Sequence, residues 1–178
     1  MSTALRWRLL ILEAAVIAGL ATLSIFCFWA GNFTRDYVRD QLEAQNIFFP
    51  EEGDEPVLED YGGDQVDTGP EAKAYGNEYI GLHLQGIADG QTYSQVSTAA
   101  RQDPENPELQ GQVQTLFRGE TLRFVLVSTW GWWELGRYAT IAGYVTAFLA
   151  LVVLGSLLFE LYNWRKEVSG TSGTRTTG

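Results

Sequence analysis

Apolar and polar positions divide this chain into blocks. Residues 9–30 and 138–159 are almost wholly apolar, 22 residues in each run. As a helix each would be about 33 Å long, enough to cross a hydrocarbon layer of about 30 Å, so each predicts a transmembrane helix. A third apolar stretch, 122–133, cannot join the second span, because a straight helix over 122–159 would be about 57 Å long. Sliding the span outward would instead carry Glu134 and Arg137 toward the bilayer centre. The stretch therefore predicts a separate interfacial helix, resting on the membrane surface or packing into the outer domain, with Glu134 and Arg137 pairing three residues apart.

The polar block between the spans has its own periodicities. NFTRDYVRDQLEAQN contains no Pro, sets Val38 four before Leu42 and Arg39 four before Glu43, and predicts a helical stalk over 31–46. Residues 47–69, with Pro50, Pro56, Gly53, Gly62 and Gly63 among many acids, predict an irregular acidic linker. Three short helices follow. The first starts near Thr68 and Gly69 with Pro70 in an opening position and a stripe of Ala72, Tyr75, Tyr79 and Leu82. The second starts at TYSQ, where Thr92 and Gln95 fit a capping box. The third has Asn106 as N-cap, Pro107 next, and Leu109, Val113, Leu116 and Phe117 as its apolar face. Residues 160–178, ending in SGTSGTRTTG, predict a disordered tail. The expected fold class is an all-α membrane protein: two transmembrane helices with a small helical extracytoplasmic domain, 31–136, between them.

Charge orients the arrangement. Residues 31–136 hold nineteen Asp and Glu against six Lys and Arg, although the whole chain has a net charge of only −10, so the flanks are net positive. Arg6 and Arg8, within 1–8, precede the first span, and Arg165 and Lys166 follow the second. Basic flanks mark the cytoplasmic side, which predicts a multi-pass plasma-membrane protein with both termini cytoplasmic and 31–136 outside. An acidic exterior excludes nucleic acid, whose phosphates need a basic footprint. The single cysteine, Cys27, lies in the first span, so no disulfide joins parts of the outer block. The first span carries Glu13, and FCFWAGNF offers no small-x-small cleavage site, which favours a retained span over a cleaved signal.

All six tryptophans fall at the span margins: Trp7 and Trp29 at the first, Trp130, Trp132, Trp133 and Trp164 at the second. Indole combines an apolar body with one N–H donor and suits the headgroup region, so these are expected membrane anchors. Small residues recur at four-residue intervals, Ala15 and Gly19 in one span and Ala139, Gly143 and Ala147 in the other. The two stripes lie at different depths, so each is an expected seat for another subunit's helix. Glu13 and Glu160 lie near the cytoplasmic ends, where Arg6, Arg8, Arg165 and Lys166 are expected to neutralise them.

Catalytic groups are sparse. His83 is the one histidine, expected to be a partly buried packing residue, and Ser94 and Asp89 nearby lack a nucleophile elbow. Zinc and facial-triad iron sites need more His or Cys than the chain holds. Calcium needs only oxygen ligands, which makes Glu51, Glu52, Asp54, Glu55, Glu59 and Asp60 the cation candidates, although their spacing is not that of an EF-hand. No cofactor is expected.

VRDQLEAQNIFFPEE, GLHLQGIADGQTYSQVS and LQGQVQTLFRGETLR resemble segments of a group of small two-span actinobacterial membrane proteins of unassigned function. Members of that group are sometimes labelled aromatic ring-opening dioxygenases. One histidine does not supply an iron centre of that kind. The expectation is a non-enzymatic accessory, assembly or scaffolding protein whose partners are the lipid bilayer and a membrane protein or a second copy of itself. The alternative is an extracytoplasmic sensor of divalent cations; an enzyme ranks third.

Overall fold

The computed structural model describes residues 3–172. Its elements are α1 (Thr3–Glu43), α2 (Leu58–Tyr61), α3 (Gly69–Ala74), a π-helical turn (Tyr75–Ile80), α4 (Gly81–Ile87), α5 (Tyr93–Gln102) and α6 (Pro107–Ser172). Every regular element among the described residues is thus helical, and α1 and α6 each hold a stretch long and apolar enough to cross a membrane. The chain divides into two compact units. One comprises Met1–Gly31 with Tyr138–Gly178, and the other Asn32–Arg137.

The Asn32–Arg137 unit is built on two adjoining cores. The first gathers Val38, Leu42, Phe49, Val57, Val66, Ala72, Ala74 and Leu126; the second gathers Leu84, Ala88, Val96 and Leu116. Val38 and Leu42, four apart on α1, are buried together as the stalk periodicity requires. Residues 47–69 depart from the expected irregular linker. Phe49 and Val66 are among the most buried side chains, and the backbone there pairs, Phe49 N donating to Asp64 O and Val66 N to Ile47 O, both at 2.9 Å. Apolar residues spaced widely among the acids carry this segment into the core, while the acids remain mostly at the surface.

Helix starts follow their side-chain chemistry. Thr68 and Glu71 form a reciprocal capping box ahead of α3, with Pro70 in its first turn, and Thr92 and Gln95 form another ahead of α5. Asn106 Oδ1 accepts from the backbone N–H groups of Glu108 and Leu109 at the start of α6. The apolar stripe of the first short helix breaks where the π-helical turn adds a residue. Ala72 is fully buried, but Leu82 is exposed and Leu84 faces the second core instead.

Two expectations are corrected in α6. Stretch 122–133 is not a separate interfacial helix, and residues 160–172 are not a disordered tail, because one helix of 66 residues runs from Pro107 to Ser172. No Pro interrupts it after Pro107. The apolar face of 122–133 finds its partners inside the unit: Leu126 is buried in the first core and Trp133 packs against it. The remainder of the expected tail, 173–178, lies outside the described residues.

Candidate functional site

In the unit formed by Met1–Gly31 and Tyr138–Gly178, α1 and α6 touch at four levels. Trp7 meets Trp164 edge to face at 5.5 Å, Ser156 Oγ donates to Glu13 Oε1 at 3.1 Å, Ser24 Oγ donates to Gly143 O at 2.9 Å, and Phe28 meets Tyr144 at 4.8 Å. From Trp7 through Glu13 to Ser24 the partners on α6 run backwards, from Trp164 through Ser156 to Gly143, so the helices pack antiparallel. Ser24 is the one buried polar residue among those described, and its hydroxyl is satisfied by the Gly143 carbonyl.

The small-residue stripes do not behave alike. Gly143 is buried, and a Cβ built there would stand 3.1 Å from the Phe28 ring, so this stripe receives an aromatic knob from its own chain rather than a second subunit's helix. Ala139 and Ala147 flank it, both half-buried. Ala15 and Gly19 stay exposed, with open space around a Cβ at Gly19. The signal missed in the sequence is the Ser24/Phe28 pair at i,i+4, which fits the Gly143 notch across the helices. Glu13 takes a hydrogen bond from Ser156.

In the Asn32–Arg137 unit three tryptophans have different surroundings. Trp133 packs on the first core with Gly69 pressed against its side chain, and the Arg39 guanidinium lies 5.9 Å above its ring. Lys73 Nζ sits 4.3 Å over Trp130. Trp132 is exposed and lines an apolar groove of about 340 Å³ with Phe33, Thr34, Tyr37, Val38, Gln41 and Thr129. Glu134 and Arg137 pair at 2.7 Å, as their spacing predicts. Trp7 and Trp29 are exposed on the other unit, and Trp164 is half-buried against Trp7.

The acidic candidates do not assemble a cation site. Glu51, Glu52, Asp54, Glu55 and Glu59 line an open concavity of about 320 Å³ without Asp60. Among the described residues no three His, Cys, Asp or Glu side chains converge as ligands. Like charges separate when nothing binds them together, and Glu55 turns to His83, its Oε1 lying 3.3 Å from Nε2. His83 Nδ1 faces Tyr79 O at 2.9 Å, and the ring leans on Tyr79. The histidine, expected to be partly buried, is half-exposed and tied at both nitrogens.

Titration is perturbed in the same unit at two places. Burial, reinforced by the negative charge of Glu71, raises the Asp67 carboxyl above its ordinary range, and Arg39 opposes the shift. Burial, then neighbouring Tyr79, raises the Tyr75 phenol. Asp67 precedes the α3 capping box, and its backbone N–H donates to Glu71 Oε2 at 2.9 Å, so its shift follows from structure at a helix start. Comparison with protein-family models, curated proteins and solved structures found no match to this chain.

Proposed function

We propose that this chain is a non-enzymatic integral protein of the plasma membrane that serves as an accessory, assembly or scaffolding component. In this reading α1 and α6 cross the bilayer, the Asn32–Arg137 unit stands on the extracytoplasmic side, and both termini are cytoplasmic. One observation carries it: the apolar stretches of α1 and α6 are only 11 % buried. At least twenty-one large apolar or aromatic residues of the helix-pair unit are exposed, including Ile11, Ile25, Phe148 and Leu151. Leaving such side chains in water costs about 1.5–3 kcal/mol each, a total several times the net stability of about 5–15 kcal/mol typical of a domain. A hydrocarbon solvent removes that cost. The core helix of a water-soluble fold would hide the same residues, and a cleaved leader would account for the first helix alone.

Orientation rests on Arg6, Arg8, Arg165 and Lys166 beside the spans and on the strongly acidic outer unit. Trp29 and Trp132 are exposed where the helices pass between the two units, as headgroup anchors would be. The open Ala15/Gly19 face is the surface on which a partner helix or a second copy packs. The test has three parts. The protein should remain in membranes through an alkaline carbonate wash, and added protease should cut within 32–137 only from the outer face. Mild-detergent purification followed by mass spectrometry should recover a complex. Release by carbonate, cleavage only from the inner face, or a strictly solitary monomer would each overturn the corresponding part.

A further inference from the structure

A polar pocket of the Asn32–Arg137 unit lies where α6 faces the π-helical turn and α4. Arg123 on α6 donates from Nε to Asn77 Oδ1 at 3.1 Å and from Nη1 to Glu120 Oε2 at 3.2 Å. Asn77 is delivered by the π-helical turn, whose Gly76 lies so near α6 that a Cβ there would be 3.4 Å from Arg123 O. Such turns recur at binding sites because the inserted residue re-aims a side chain. Around this constellation opens a cavity of about 340 Å³ that also includes Leu84, Leu116, Gln85 and Gln91. A second opening of about 200 Å³ borders the same three polar residues beside Phe124 and Val127.

The chemistry of the pocket is specific. Leu84 and Leu116 are buried and give it an apolar floor. The Gln85 and Gln91 carboxamides and Arg123 Nη2 make no side-chain hydrogen bonds among the described residues, so donors and acceptors are available above that floor. Glu120 and Arg123 are each about 40 % exposed and present opposite charges 3.2 Å apart. A bare anion would gain Arg123 but meet Glu120 and the acidic surface of the unit. A bare cation would take Glu120 and leave the guanidinium without its partner. A molecule carrying both charges two bonds apart matches the pair, replacing each partner at no net change of charge.

We propose that this pocket binds a small zwitterion of amino-acid size. Its carboxylate lies on Arg123, its ammonium on Glu120, and its side chain on the Leu84/Leu116 floor within reach of Gln85 and Gln91. A cavity of 340 Å³ is at the small end of ligand sites, which suits a single residue rather than a peptide.

The test is thermal unfolding of the full chain in lipid nanodiscs with each proteinogenic L-amino acid at millimolar concentration, beside its N-acetyl and C-amide derivatives, acetate and methylamine. At least one free amino acid should raise the midpoint by about 10 °C at about a hundredfold excess over its Kd. Both blocked derivatives of that amino acid should bind at least about tenfold more weakly, because each lacks one of the two charges. Arg123→Gln and Glu120→Gln should abolish the shift. Since the derivatives are tested on the unaltered protein, the result does not depend on either variant folding. No shift with any amino acid, an equal shift with acetate or methylamine, or full binding of the blocked derivatives would overturn the proposal.

Discussion

Phe49→Ala separates a solvated linker from a core segment more sharply than any other single change. Phe49 is 2 % exposed, stacked on Tyr61 at 5.3 Å and set edge-on to Tyr75 at 5.0 Å. Truncation loses the transfer free energy of the ring and leaves a cavity, together about 3–5 kcal/mol, and the two aromatic contacts place the value in the upper half of that range. A loss of about 4 kcal/mol is nearly a thousandfold in the folded-to-unfolded ratio, and with an m-value of about 2 kcal/mol/M it moves the urea midpoint down by about 2 M. Phe48 is the internal control. It is 48 % exposed, so Phe48→Ala should cost no more than about 0.5 kcal/mol. The assay is urea unfolding of the full chain in micelles, followed by tryptophan emission, to which Trp133, packed on the same core, contributes. Equal effects at the two positions, or an effect below about 1 kcal/mol at Phe49, would refute the placement of 47–69 in the core.

Three further outcomes follow from individual contacts. Gly69→Ala puts a methyl into the Trp133 side chain and should cost about 1–3 kcal/mol, read as a lowered melting midpoint with Trp133 emission shifted to longer wavelength; an unchanged midpoint would sink that contact. Gly143→Leu should destabilise the helix pair by about 1–3 kcal/mol because it meets Phe28, and Phe28→Ala in the same chain should recover part of the loss; strict additivity in that double-mutant cycle would show that the two positions do not touch. Asp67 holds its proton in the folded state to a higher pH than in the unfolded chain. Its contribution is therefore fully present below about 3.9, the unfolded value, and is lost as pH rises through the raised folded value. Asp67→Asn should thus stabilise at neutral pH, with the advantage shrinking on acidification; a pH-independent difference between variant and parent would refute the assignment.

What was legible in the sequence is what depends on local chemistry. The two long apolar helices, the Thr92/Gln95 box, the Asn106 cap and the Glu134–Arg137 pair each need only a few neighbouring residues, and all are present. The Thr68/Glu71 box was equally visible as Thr-x-x-Glu. What stayed hidden depends on partners distant in the chain. Nothing within 47–69 shows that Phe49, Val57 and Val66 share a core with α1 and α6. The notch at Gly143 reads as a seat for another subunit until Phe28, more than a hundred residues away, is seen to fill it.

Stretch 122–133 departs from its expected separate helix for a different reason, and the departure bears on function. The expectation there was a helix separate from the second span, resting on the membrane surface or packing into the outer domain. Helix α6 is instead continuous, and of the two placements its 122–133 stretch takes the second, with Leu126 and Trp133 packed into the core that holds Val38, Leu42 and Ala72. A continuous helix thus carries both Gly143, packed against Phe28, and Arg123, which faces the π-helical turn. Glu120 and Arg123 stand out in the sequence only as an i,i+3 pair of the kind common on any exposed helix. They become a site once an inserted residue in another element turns Asn77 toward them, and a π-helical turn has no sequence pattern comparable to a capping box. Three of the polar groups that give this pocket its chemistry are therefore brought together by backbone geometry rather than by any motif.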